Sequence, residues 1–268
     1  MDRYKIISPE KAYRGEIGIQ RKNFCVDFIN QKKATFQRIE RDIFAKIEAH
    51  GETATCRKGC PVCCVLYIEA NIQECEAISY YLHENRQVLN SFMQRYELWR
   101  DKMRHLGGPF TLCERVLHQT GDIQISNDDL SAMLLVLTKY QEQNILCSFL
   151  DNMACSIHEV RPFVCANHFV SSPADWCRSE NWCNPAFPDR PKIYMTTIDE
   201  IDDCFFYQDS LAKPVIGFMP TMVYRILTEG LDYIVEATGL ESLSSISGSS
   251  ETIDTPLNTY NAEEKYEI

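Results

Sequence analysis

With 268 residues, 45% of them hydrophobic and 24% charged, the chain is long enough for one large domain or two small ones around a real apolar core. Its net charge of −11 argues against nonspecific nucleic-acid binding, which needs a basic surface, and no concentrated basic run stands out. No apolar stretch approaches the ~20 residues that span a bilayer, and Met1-Asp2-Arg3-Tyr4-Lys5 leads into no apolar secretory segment, so the expectation is a cytoplasmic protein with no membrane partner.

That placement governs the reading of thirteen cysteines. A reducing compartment disfavours structural disulfides, and an odd count fits a closed disulfide framework poorly. Clustered cytosolic cysteines are more often metal ligands or redox centres.

In chain order, residues 1–20 carry no recognisable chemistry. From about Arg21 to His50 the apolar residues Phe24, Phe28, Phe36, Ile39, Ile43 and Ile47 recur at helical spacing, and Gly51 supplies a stop. Cys25 lies beside this stripe as a buried filler. The helix delivers the chain into Cys56-Arg57-Lys58-Gly59-Cys60-Pro61-Val62-Cys63-Cys64, four thiols on a tight Gly- and Pro-bearing loop. A second long helix is expected from Ile72 to Leu106, with Ile78, Leu82, Leu89, Phe92, Tyr96, Trp99, Met103 and Leu106 as its stripe and Cys75 in the core. Gly107-Gly108-Pro109 ends it.

Ser126 and Asp129 stand at capping-box spacing and open a helix to about Gln143, which delivers the chain to Cys147. Residues 171–192 hold four prolines and no long element, yet also Trp176, Trp182, Cys177 and Cys183, which suits a segment folded over the site. Thr197 opens a further helix, and a last one runs from about Thr221 to Ala237 behind Pro220, with Gly239 near its end. The expected fold is mainly α, an irregular helical domain organised around a cysteine-ligated metal site with few or no strands. Residues 1–53 form an N-terminal helical segment, 54–192 the cysteine-cluster domain, 193–241 C-terminal helices on the same core, and 242–268 a disordered acidic tail.

Thiolates bind soft metals strongly, and metal binding supplies folding energy to a loop with little apolar surface. The candidate ligands are Cys56, Cys60, Cys63, Cys64, Cys147, Cys155, Cys165 and Cys177. Cys56-x3-Cys60-x2-Cys63 places three sulfurs around one iron–sulfur cube or one zinc. Cys64 points away from its neighbour and serves a second metal or packs as a thiol. Cys183 and His168 remain open as ligands, while Cys113 and Cys204 are isolated and belong to the core. Arg161-Pro162 fixes a turn, and the Arg161 guanidinium could donate to metal-bound sulfur or pair with Glu159.

The same C-x3-C-x2-C spacing occurs in the cluster loop of radical S-adenosylmethionine enzymes, but their partial barrel needs strands alternating with helices, which this sequence lacks. The two cysteine groups together resemble a different family. Cys56-x3-Cys60-x2-Cys63-Cys64, the following helix with Glu74, Cys147-Ser148-Phe149-Leu150, then Cys155-Ser156-Ile157-His158-Glu159-Val160-Arg161-Pro162 and Cys165 look like the YkgJ-like CxxCxxCC family of zinc- or iron-chelating proteins. The likeness covers roughly residues 54–183. His158 departs from it, standing where the family commonly has Tyr, and is read as a surface or packing residue. The flagellin lysine N-methylases carry a similar cluster, so the resemblance implies an iron–sulfur cluster and methyl transfer as one option, although nothing outside the cysteine motifs supports that substrate.

The expected function is a metal-binding protein that chelates an iron–sulfur cluster or zinc through two cysteine groups. Iron–sulfur is slightly favoured, because more than four thiols suit a polynuclear site. Redox or protein-modifying chemistry is the enzymatic version, with a protein substrate or partner. The alternative is a structural zinc module that binds a protein partner without catalysis.

Overall fold

A computed structural model describes residues 5–106, 118–119, 139–178, 192–196 and 215–238. The fold is mainly α, with a few short strands. A single helical turn, α1 (Pro9–Ala12), precedes the long α2 (Gly15–Ala49). The buried line of α2 runs through Cys25, Phe28, Lys32, Ile39, Ile43 and Ile47. Lys32 thus occupies the one turn of the apolar stripe left empty between Phe28 and Phe36.

Where the sequence suggests one helix from Ile72 to Leu106 there are two, α3 (Ile72–Glu84) and α4 (Arg86–Leu106). Asn85 makes the break. Its side-chain amide donates to the Tyr81 carbonyl at 2.8 Å, and the backbone leaves the helical region at φ −119°, ψ 71°. A short polar side chain that bonds its own backbone competes with helix continuation, and here that local bond outweighs the continuous apolar stripe.

α3 is the middle of the molecule. Asn71 caps it by accepting the Glu74 N–H at 2.7 Å, and nearly every residue from Ile72 to His83 is buried. Burial on all sides would ordinarily require an apolar helix, yet Gln73, Glu74, Glu76, Ser79 and His83 are all inside. The two charged ones are met by α2. Lys32 Nζ donates to Glu74 at 2.8 Å and Arg21 Nε to Glu76 at 3.1 Å, as buried charges require.

The short strand β1 (Glu69–Asn71) enters α3 and pairs antiparallel with Val215–Phe218, which in turn pairs with β2 (His118–Gln119). The C-terminal helix is also divided, into Met219–Glu229 and Leu231–Thr238. Gly230 between them adopts φ 67° and closes the first by donating to the Ile226 carbonyl at 2.8 Å, a left-handed stop that suits Gly. This pair, α4 and the β1 sheet enclose the main core, with Phe92, Tyr96, Trp99, Phe218 and Tyr233 at or near zero exposure.

The helices expected from Ser126 and Thr197, Cys113, Cys183, Cys204 and the tail from 242 lie outside the described residues, except that 139–142 are helical. No helix among the described residues is long and apolar enough to cross a membrane.

Candidate metal centre

The first cysteine loop leaves α2 and turns twice. Thr55 N–H donates to the Val170 carbonyl at 2.8 Å, which lays this strand of chain beside Phe169–Val170. A turn closed by Cys60 N–H on the Arg57 carbonyl at 3.0 Å follows. It needs Gly59 at φ 89°, a conformation costly for a residue with a Cβ. Val62–Val65 then form a 3-10 turn behind Pro61 and carry Cys63 and Cys64.

The second group hangs on a hairpin. β3 (Leu150–Asp151) and β4 (Ala154–Cys155) pair across Asn152 and Met153, both at positive φ, so Cys155 stands opposite Leu150. Phe149 stacks on Phe92 with ring centroids 4.3 Å apart, and Arg95 of α4 donates to the Ser148 carbonyl and pairs with Asp151 at 2.8 Å. These contacts fasten the hairpin to α4. Cys165 rides on the single-turn helix α5 (Phe163–Ala166), whose first N–H, that of Phe163, donates to Glu74 Oε1 at 2.7 Å. Lys32, paired with the same carboxylate, also reaches the Val160 carbonyl at 3.4 Å. The buried Lys32–Glu74 pair therefore grips both sides of Arg161-Pro162.

These elements meet around one cavity of about 200 Å³. Its wall holds Cys56, Cys60, Cys63 and Cys64 from the first group and Cys147, Cys155 and Cys165 from the second. The groups touch directly, since Cys147 N–H donates to the Cys64 carbonyl at 2.7 Å. Cys177 is not in this wall. It ends a 3-10 turn, Ala174–Cys177, close enough that burial first, and then thiolate charge at Cys56, Cys63 and Cys60, pushes its thiol up to about 11. Cys25 and Cys75 are fully buried elsewhere, as core residues.

The cluster resists ionisation in the absence of a cation. Burial, reinforced by neighbouring thiolates, raises Cys165 well above the ordinary thiol value and Cys147 to about 12. Burial also raises Cys155 and Cys56, although the Val170 N–H, 3.2 Å from the Cys56 sulfur, works against it there. Cys63 is the exception, lowered to about 7 by a hydrogen bond from Cys64, which is itself raised by the same bond and by burial. A soft cation would relieve this mutual repulsion. The donor chemistry fits such a metal. Among the described residues, however, no group of three or more His, Cys, Asp or Glu side chains is drawn into a geometry that could hold a metal ion. The thiols share a space without closing on a point.

Two residues behave differently from the sequence reading. His158, expected at the surface or in packing, lines the cavity. Burial and the nearby Arg161 and Lys58 charges lower it to about 4, so it is neutral and can accept from Arg161, with which it is hydrogen-bonded. Arg161 does not pair with Glu159, which reaches Lys33 instead at 3.1 Å. It donates to the His158 carbonyl at 3.1 Å. His168 lines the same cavity, and burial holds it below its ordinary value. The sequence reading missed the Lys32–Glu74 clamp. Its signal was a lysine at the vacant turn of an apolar stripe. The chain matches no known family model, no curated protein and no solved structure.

Proposed function

We propose that this is a metal protein whose two cysteine groups bind an iron–sulfur cluster, with membership of the YkgJ-like cysteine-cluster family as the corresponding proposal about its descent. The supporting observation is that seven thiols from two distant stretches line one cavity. Seven soft donors exceed the four that a single structural zinc takes, and their uneven spacing suits a polynuclear centre. Such a centre would supply electron transfer or group transfer when bound, and whatever part of the same cavity it leaves free would admit a substrate group, including a side chain of a protein substrate. The second reading, two structural zinc ions in a protein-interaction module, is favoured by the Cys64–Cys147 backbone bond, because metal there would hold two parts of the fold together.

Protein purified without oxygen decides between them. The iron reading expects a brown protein with iron and sulfide in comparable amounts, bleaching in air. A colourless protein, stoichiometric in zinc and refusing iron on reconstitution, would turn the assignment to the structural module. Cys60→Ser should lower metal content and melting temperature together, whereas Cys25→Ala should lower only the melting temperature. Equal metal loss in both would show that general destabilisation is being read.

A further inference from the structure

The chain carries 38 acidic and 27 basic residues, yet the cavity reverses that balance. Arg57, Lys58 and Arg161 line it against one carboxylate, Glu40. Arg57 and Lys58 are exposed at the tip of the Gly59 turn and form no ion pair among the described residues. Arg161 is more constrained. Both of its hydrogen-bond acceptors belong to His158, and its Nε is buried with no acceptor among the described residues. The closest carboxylate in sequence, Glu159, is taken by Lys33. The Cys63 and Cys155 thiols lie within electrostatic reach of Arg161, but they offer no planar pair of oxygens, whereas the guanidinium fork matches a carboxylate or phosphate. The same wall also carries the apolar Leu66, Ile68, Phe149, Ile157 and Met219.

From this arrangement we infer that the cavity binds a small ligand with an anionic head group, carboxylate or phosphate, held by Arg161 with Arg57 and Lys58, and an apolar portion laid against the apolar side chains of the wall. The inference names the substrate class of the proposed metal site and rests on that reading only in placing the ligand beside a metal. Binding itself needs only the wall. Selection of the head group follows from the three cations, and selection for an apolar body follows from the five apolar side chains of the wall.

The test is calorimetric titration of the full chain, as purified and with its metal content measured, with hexanoate, hexyl phosphate and hexanol as probes. Hexanoate or hexyl phosphate should bind and hexanol should not, and the tighter of the two anions assigns the head group. Arg161→Gln should weaken the binding anion about tenfold or more, the usual effect of deleting a charge-assisted hydrogen bond, with metal content unchanged. Arg57→Gln/Lys58→Gln, both exposed and harmless to folding, should weaken it about threefold to tenfold. Hexanol binding as tightly as hexanoate, or unchanged anion binding in both variants, would overturn the inference. So would loss of metal in step with anion binding in Arg161→Gln, because the cations would then be serving the thiolates. A chain that holds neither iron nor zinc yet binds hexanoate with the same dependence on Arg161 would sink the metal reading and leave the anion site standing.

Discussion

Along α4 the chain stacks ring on ring. Tyr96 lies 4.4 Å from Tyr224, Trp99 5.2 Å from Phe218, and Phe92 4.3 Å from Phe149. Around the cysteine cavity ring contacts are few: Phe149, which reaches the seam, and Phe169, which meets Phe44 edge-on. That wall is made of 3-10 turns, a two-residue hairpin and a one-turn helix, fastened by single backbone bonds and by carboxylates reaching from the helices. The aromatic seam draws its stability from area removed from water and from ring contacts worth roughly 0.5–1.5 kcal/mol each. The cavity wall has little such area and depends on directed polar contacts, each of which fixes a position more than it adds stability. Away from the Phe92–Phe149 stack, the seam can therefore be damaged without moving a sulfur, and the wall can lose its geometry while the fold survives.

The Lys32–Glu74 pair is where that contrast breaks most visibly, because it belongs to both regions. Lys32→Met leaves Glu74 as an unpaired buried charge and should cost about 3–5 kcal/mol, measured by urea unfolding of the metal-free protein. Lys32→Met/Glu74→Leu removes both charges and should recover most of that loss. It still deletes the carboxylate that accepts the Phe163 N–H, so under the proposed metal reading retention should stay low. Leu82→Ala, fully buried in the core, should cost about 2–5 kcal/mol and keep its metal below its own transition. If metal returns with stability in the double variant, the clamp is merely structural and the two regions do not differ in kind.

Acid sharpens the comparison from the opposite end of α3. His83 is buried, its Nδ1 has no hydrogen-bond partner among the described residues, and burial, helped by Arg86, lowers it to about 4. Its unfolded value is about 6.5, so between these values the unfolded chain holds the extra proton. The stabilisation is complete above pH ~6.5 and is lost as pH falls through ~4, a change of at most about 3 kcal/mol. His83→Gln should flatten the stability profile between those limits. A profile as steep as that of the unaltered chain would assign the acid limb to other groups, with His158 in the cavity wall the first to test.

What the sequence disclosed follows the same division. The apolar stripes of α2 and α4 were legible because burial enforces periodicity over many residues, and Cys25 and Cys75 were legible as core because each falls on or beside such a stripe. The cysteine groups were legible as clusters, since spacing alone shows that Cys56 to Cys64 must crowd. The break at Asn85 was not, because one side-chain bond outweighs a stripe that runs straight through it. The setting of Arg161 was legible only in part: of the two roles the sequence offers, pairing with Glu159 is lost because the fold gives that carboxylate to Lys33, while the guanidinium bonds His158 and acts on the Cys63 and Cys155 thiols. Cys177 reads as one more thiol of the set, and its 3-10 turn brings it within electrostatic reach of Cys56, Cys63 and Cys60 without placing it among the residues that line the cavity.

The smallest effect lies in the hairpin that presents Cys155. A two-residue loop with positive φ at both positions matches the right-handed twist of its strands and favours Asn-Gly. Asn152 at φ 47° suits the first position, but Met153 holds φ 63° with a side chain 54% exposed. A left-handed conformation costs such a residue about 1–2 kcal/mol, and little packing offsets it. Met153→Gly relieves that strain but gives the unfolded chain more freedom, so the net gain should be about 0.5–1 kcal/mol, read as a rise in urea midpoint with unchanged slope. Metal content should not change, because Cys155 keeps its register opposite Leu150. A loss of stability would mean that Met153 contributes packing, and a fall in metal content would mean that the strained turn itself aims the Cys155 sulfur.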